Sequence, residues 1–452
     1  MIIVKAKYLI TNPENFTENG AIAVKGTKIY RVGTFEEIKA LTNVDKIIDL
    51  GNAVILPGLI NIHTHLDLTN LHNRIKPTSN FTHWAFQIVG ARIRWKEEDY
   101  ISSIEKGIEL CVESGATTVA DIANTEYSFS VLKKSPLRKV VYKEVIDLNP
   151  DHAKDVLKKT QSELSTITTD DLLSTGLSPH APYSVSKELY QAIAQFARET
   201  GAPVCTHIAE TRDEIEFLTK GTGSFPAFLR QIRAMPDNWQ PPGLTPIQYL
   251  NETGILMNRP LLIHCNYVTD EEISLIKSFG ASVAFCPRSH HFFGHTNHPV
   301  QKLIDAGINV GLGTDSLASN DTLSILDEMK FLSLHHSIPL NTLLTMATIN
   351  GAEALGLESK TGQIKEGFEA DLCGIRLPDA PVGNIVTVHP HLNLPHQGGG
   401  IQVNNKYSPP LVGGVRGGGE LLRNIYDQLL DTTSKNIFTM IAGTTCYHAQ
   451  SG

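Results

Sequence analysis

The chain has 452 residues, 41% of them hydrophobic, and a formal net charge of −8. That length and apolar fraction suffice for one large domain plus a smaller one, with a substantial core. Charges of both signs are interspersed without a basic block, which excludes nucleic acid or an acidic membrane surface as the main partner and points to a small, weakly charged substrate. Lys5 and Lys7 interrupt the first apolar stretch and no later run approaches membrane-spanning length, so a cytoplasmic protein is expected. Cys111, Cys205, Cys265, Cys286, Cys373 and Cys446 form no Cys-x-x-Cys pair, which suits reduced, buried thiols.

Residues 2–10, 21–32 and 46–50 alternate apolar and polar side chains, with a turn signal at Glu18, Asn19 and Gly20. They predict a small antiparallel sheet over residues 1–53. From residue 54 the texture changes to short β-rich runs separated by helical segments. The runs are 54–63, 117–122, 139–147, 174–179, 203–207, 260–264, 281–286 and 308–314. Between them lie amphipathic stretches such as 101–114, 186–200, 270–279 and 299–306, several closed by glycine. Eight strand-and-helix units predict an α/β fold, a (β/α)8 barrel over residues 54–360, with its chemistry at the carboxyl ends of the strands.

Two connections exceed what a barrel needs. Residues 66–99 carry His83, Trp84, Phe86 and Arg92, and residues 219–254 carry Phe225, Phe228 and Trp239; both read as lids or substrate walls. Residues 361–452 are expected to rejoin the N-terminal sheet in a small β-sandwich built from both chain ends. They include a Gly- and Pro-rich excursion at 378–419, a helix over 421–430 and a terminal strand over 437–441.

The first strand run ends in His63-Thr-His65, and in a strand that i, i+2 spacing puts both imidazoles on one face, about 7 Å apart along the chain. Alone the pair is as compatible with two solvated histidines as with an ion. Four further strand ends carry His180, His207, His264 and Asp315. Three imidazoles and a carboxylate suit one divalent ion, zinc or else iron or manganese, with a position open for a water molecule. Glu210, three residues beyond His207, is within reach of such a water as general acid and base; without the other ligands it would read as a solvated carboxylate at a helix start.

Together Pro57-Gly-Leu-Ile-Asn-Ile-His-Thr-His, Ser178-Pro-His-Ala-Pro-Tyr, His207-Ile-Ala-Glu-Thr, His264-Cys, Cys286-Pro-Arg-Ser and Gly313-Thr-Asp-Ser-Leu-Ala-Ser-Asn resemble the amidohydrolase superfamily, in its mononuclear aminohydrolase branch. The resemblance implies His63, His65, His207 and Asp315 as ligands, Glu210 as proton shuttle and His264 as a hydrogen-bond partner of the attacking water or tetrahedral centre, with Asp315 also accepting a proton. In the deaminases of S-adenosylhomocysteine, methylthioadenosine and aminodeoxyfutalosine, the counterparts of His180 and Ser319 contact the substrate, and Trp84 and Arg288 are further candidates for that role. The fourth strand ends in Ser-Pro-His where binuclear relatives carry a carbamylated lysine, which implies one metal.

Two features depart from the family pattern. Residues 81–87 hold no carboxylate to match the acidic residue that binds ribose hydroxyls. The seventh strand run leads into Arg288 and a cluster of His290, His291, His295 and His298, where substrate or loop contacts are expected ahead of a second metal. The expected function is hydrolytic deamination of an aminated heterocycle, a C–N hydrolysis in a cyclic amidine, with a 5′-substituted 6-aminopurine nucleoside leading. Guanine or a triazine (by aminohydrolase or chlorohydrolase chemistry), a cyclic amide, and a catalytically silent metal-binding scaffold are the alternatives. A homodimer is left open.

Overall fold

In the computed structural model, residues 1–378 and 418–449 are described; the expected excursion at 378–419 falls almost wholly outside them. Residues 2–10 do not form one strand. Ile2–Lys5 and Tyr8–Asn12 enter different sheets. Ile2–Lys5 sits in a four-stranded sheet between Gly20–Lys25, antiparallel to it, and Lys46–Asp49, parallel to it, so the expected all-antiparallel pairing is corrected there.

The run 54–63 also divides, at Gly58. Ala53–Pro57 pairs with Tyr8–Asn12 and Leu372–Arg376 in a six-stranded sheet, whereas Leu59–Thr64 pairs in parallel with Ala116–Ala123. A Cβ at residue 58 would meet Thr117 Oγ1 at 2.1 Å, so only glycine lets the backbone pass between the two sheets. A continuous apolar run hides such a break, because both strands are buried throughout.

The six-stranded sheet joins the chain ends. Its order runs Thr444–His448, Lys435–Ile441, Leu372–Arg376, Ala53–Pro57, Tyr8–Asn12, Asn15–Glu18, and Thr444–His448 is a strand not expected from the sequence. Val4, Ile22 and Ile48 of the first sheet share one apolar cluster with Leu9, Ile55, Leu372 and Phe438 of the second.

Eight parallel strands carry the rest: β1 (Leu59–Thr64), β2 (Ala116–Ala123), β3 (Arg138–Val145), β4 (Leu173–Pro179), β5 (Cys205–Ile208), β6 (Leu261–His264), β7 (Ser282–Phe285) and β8 (Val310–Leu312). They form two four-stranded sheets, ordered β4-β3-β2-β1 and β5-β6-β7-β8. Single parallel bridges, Leu177↔Val204 and Thr64↔Asp315, join the sheets at their edges. Ile60, Ile62, Ala120, Ile122, Val140, Tyr142 and Ile263, from strands of both sheets, meet in one buried cluster.

Helices cover the strands where the pattern demands them. Lys187–Thr200 starts at the Ser186 cap, stops at left-handed Gly201, and buries Leu189, Tyr190, Ile193, Ala194 and Ala197 along one face. Asp270–Phe279 begins at a Thr269/Glu272 capping box. The two long connections are structured: the first holds the helix Phe81–Arg92, the second the helices Phe225–Gln231 and Pro246–Thr253. Among the described residues no helix is long and apolar enough to cross a membrane.

Candidate active site

The carboxyl ends of the parallel strands form the floor of a cavity of about 630 Å³. His63 and His65 leave β1 where its pairing with β2 is irregular, between Asn61 and Thr64. Their rings meet edge to face at 4.9 Å, and the His207 ring from β5 lies 5.0 Å from His63 and 5.3 Å from His65. Asp315, just past β8, brings Oδ1 to 3.5 Å from His63 Nε2 and 3.8 Å from His65 Nε2. The ligand atoms of His63, His65 and His207 lie within 4.8 Å of one another, as do those of His63, His264 and Asp315.

Two of these side chains, His207 and Asp315, have one polar atom tied back and another free. His207 Nδ1 donates to the His180 carbonyl at 3.0 Å, leaving Nε2 only 3.2 Å from His65 Nε2. Asp315 Oδ2 accepts from Ser289 Oγ and Ser319 Oγ, both at 2.7 Å, leaving Oδ1 toward the histidines. His63 is fully buried with both ring nitrogens unpartnered. Buried nitrogens without partners are costly, and clustered nitrogen and oxygen lone pairs are what a divalent cation satisfies.

Burial depresses the basicity of the histidines: His207 falls to about 3, with His63 and His180 adding to the effect, and His65 and His264 fall well below the usual imidazole value. All three are therefore neutral and able to donate a lone pair. Burial alone would raise Asp315, but the neighbouring imidazoles of His63, then His264 and His65, hold it well below the usual carboxylate range.

Glu210 stands beside this group, its Oε1 3.5 Å from His264 Nε2. Burial, reinforced by Asp315 and Glu214, raises its carboxyl well above the usual value, which favours the proton-carrying form. Glu214 fixes the turn: its two carboxylate oxygens accept the backbone N–H groups of Ala209 and Glu210 at 2.9 and 2.8 Å. Ala209, His264, Cys265 and Asp315 all have positive φ, between 50 and 75°. Left-handed backbone at non-glycine residues is strained, and its concentration at these strand ends marks a site held by its surroundings.

The other expected site residues divide. His180 and Trp84 line the cavity, His180 with Nδ1 2.6 Å from Ser184 Oγ, and Trp84 anchored by Nε1 donating to the Ala318 carbonyl at 2.9 Å. Ser319 is fully buried beneath Asp315 and does not line the cavity. Arg288 is likewise outside the lining, paired with Asp321 and bonded to Asn320 at 3.1 Å. Of the loop aromatics Phe228 lines the cavity; Phe225 is core, Trp239 stacks on Phe217 at 4.2 Å, and Phe86 is 42% exposed.

The histidine-rich stretch makes loop contacts. His298 Nε2 donates to the His264 carbonyl at 2.9 Å, and His295 Nδ1 is 2.9 Å from Tyr267 Oη. Among the described residues His290, His295 and His298 form no cluster close enough to share an ion. Sequence reasoning missed Ser289, Glu214, Asn124 and Glu144. The signal for Glu144 was its position two residues beyond buried Tyr142 on β3, which carries it to the cavity end of the strand.

The fold and this site define the class. The amidohydrolase family model matches residues 54–395, and the chain belongs to that family. Among its relatives, the 5-methylthioadenosine/S-adenosylhomocysteine deaminase of Pyrococcus furiosus is 31% identical over 390 residues, 83% of this chain and 85% of the relative. The 5′-deoxyadenosine deaminase of Methanobrevibacter smithii is 30% identical over 383 residues, 80% of this chain and 81% of the relative. The crystal structure of a zinc-bound adenosine deaminase from Xanthomonas campestris shares the fold, with a TM-score of 0.78 and 22% identity over 99% of this chain and 93% of that one.

Proposed function

We propose that this chain is a metal-dependent aminohydrolase that deaminates a 6-aminopurine nucleoside carrying a 5′ substituent, with release of ammonia. The observation that carries the reading is the placement of Glu210 and His264 beside the ligand atoms of His63, His65, His207 and Asp315. The names of the relatives supply the substrate class. A cavity of about 630 Å³ is in the range for a whole small-molecule ligand of roughly 300–1,000 Å³, more than a free purine base requires.

The two bridged parallel sheets support a closed eight-stranded barrel, and the apolar cluster shared by the two outer sheets supports a small β-sandwich built from residues 1–53 and 361–452. The clustered ligand atoms of His63, His65, His207 and Asp315, with His207 Nδ1 and Asp315 Oδ2 tied back, fit a single divalent ion that these four residues would hold. Zinc, present in the Xanthomonas campestris neighbour, is the first ion to test. Such an ion would supply Lewis acidity to the attacking water molecule.

The protein groups do the remainder. Glu210 gives its proton to the ring nitrogen next to the amine-bearing carbon as the water oxygen bonds to that carbon. The resulting carboxylate takes one proton from the added oxygen and passes it to the amine nitrogen; the C–N bond breaks and ammonia leaves with the bonding pair, while the second proton of the added oxygen goes to the Glu210 carboxylate, restoring its acid form and leaving the carbonyl product. His264 Nε2, 3.5 Å from Glu210 Oε1, can donate to the added oxygen and stabilise the tetrahedral centre. Asp315 Oδ1, whose carboxylate is ionised, is the other acceptor beside that oxygen.

Ammonia release, measured over a panel of aminopurine nucleosides, free aminopurines, guanine and triazines, tests the reading. Turnover of methylthioadenosine, adenosylhomocysteine or 5′-deoxyadenosine in preference to the rest is expected. Activity confined to guanine or a triazine, or no activity with metal-loaded protein, overturns it.

A further inference from the structure

The metal-competent groups occupy one part of the cavity floor; the ends of β2, β3 and β4 build another. Interior Ile122 and Tyr142 are followed two residues later by Asn124 and Glu144, and Glu144 pairs in register with Ser178, two residues before His180. Arg92 Nη2 donates to Asp67 Oδ2 at 3.2 Å and to Asn124 Oδ1 at 2.9 Å, and Asn124 Nδ2 in turn donates to Glu144 Oε2. This chain fixes one oxygen of Glu144. The other, Oε1, points toward His180 and stops 3.9 Å short of Nε2, beyond hydrogen-bond range.

The Glu144 side chain is only 6% exposed, yet it lines the cavity. No lysine or arginine of the described residues forms an ion pair with it. A carboxylate with one oxygen bonded and the other facing the cavity has acceptor capacity left for the donors of a ligand. Arg92 is already committed to Asp67 and Asn124.

We propose that Glu144 is a substrate-binding carboxylate that accepts hydrogen bonds from the sugar hydroxyls of the nucleoside. The assignment rests on the deaminase reading above and adds to it a residue that selects the glycosyl group. It also supplies, from the end of the third parallel strand, the acidic group that residues 81–87 lack. The rival occupant is a second cation, since ligand atoms of Glu144, His180 and His207 lie within 4.8 Å of one another.

The test compares kcat/KM for 5′-deoxyadenosine with its 2′,5′-dideoxy and 3′,5′-dideoxy analogues, in the wild type and in Glu144→Gln, alongside metal content. The wild type is expected to favour the diol by at least about tenfold over one or both deoxy analogues, the scale of a hydrogen bond to a charged group. In Glu144→Gln that preference falls to about threefold or less, through KM more than kcat. A preference that survives the substitution, or a wild type that shows none, overturns the role of Glu144 while leaving the deaminase reading intact. A wild type that turns over no nucleoside overturns both. A second metal equivalent in the wild type that is lost in Glu144→Gln assigns the wall to a cation and overturns the hydroxyl assignment. Should Glu144→Gln lose its fold, judged by circular dichroism and metal content, Asn124→Ala replaces it: freeing the carboxylate should narrow the same preference, and an unchanged preference counts against the proposal.

Discussion

The floor and the roof of the cavity are made differently. On the floor His63, His65, His207, His264 and Asp315 each leave the end of a parallel strand, and ties such as the His180 carbonyl, Ser289 and Ser319 fix which atom faces inward. The roof is made of connections: Trp84 and Ile88 from the helix Phe81–Arg92, and Phe228, Ile232 and Met235 from the second long connection. Reaction chemistry sits where topology brings strand ends together, and selectivity sits where chain length and packing are free to vary. Variants in the metal-competent part of the floor should therefore damage turnover on every substrate, and roof variants should change which substrate is turned over.

The largest expected effect is on the floor. Removing metal with a chelator should lower ammonia release by at least about a thousandfold, with recovery on adding zinc, because water alone is a poor nucleophile near neutral pH; elemental analysis should find about one ion per chain on the ligand count, and two would break the single-centre reading. Next comes Glu210→Gln, which should keep metal and thermal stability but lose kcat by about a hundredfold or more on every substrate. Near-normal kcat would assign proton transfer to another group. A smaller effect is expected from the paired change Ser289→Ala and Ser319→Ala, which strips both hydroxyl donors from Asp315 Oδ2. Metal affinity should weaken by about ten- to a hundredfold, read by competition with a chromogenic chelator. Unchanged affinity would show that the hydroxyls do not orient the ligand.

The two regions also differ in how much of them could be read from sequence. Strand-end residues were legible because a β-rich run and a histidine or aspartate at its end make one local pattern, and seven later runs each overlap one parallel strand. The division of the run 54–63 at Gly58 was not, since its cause is the nearness of Thr117, a contact across 59 residues of sequence. Glu144 and Asn124 carry no motif; what brings them together is the register of β2, β3 and β4. Ser319 was found by motif but its atom serves Asp315, an assignment only geometry makes. Aromatic residues on the long connections were visible as a class, yet Phe225 and Trp239 turned inward to Phe217 while Trp84 and Phe228 reached the cavity. Composition does not distinguish a wall from a core when both want apolar rings.

Trp84 offers the sharpest test of the roof. Its indole is held at one end by the hydrogen bond to the Ala318 carbonyl, three residues beyond Asp315, and packs edge to face on Phe293 at 5.1 Å and against Phe81 at 5.3 Å. The ring is thus fixed relative to the floor while presenting an apolar face to the cavity. Trp84→Ala should remove that face without touching a floor residue. For a nucleoside with an apolar 5′ group such as methylthioadenosine, kcat/KM should fall by about tenfold, the discrimination a few buried carbon atoms supply, mostly through KM. Turnover of unsubstituted adenosine should fall less, so the ratio of the two substrates is the quantity to measure. Equal losses on both would mean that Trp84 acts through Ala318 on the position of Asp315, and the division between a chemical floor and a selective roof would fail at this contact.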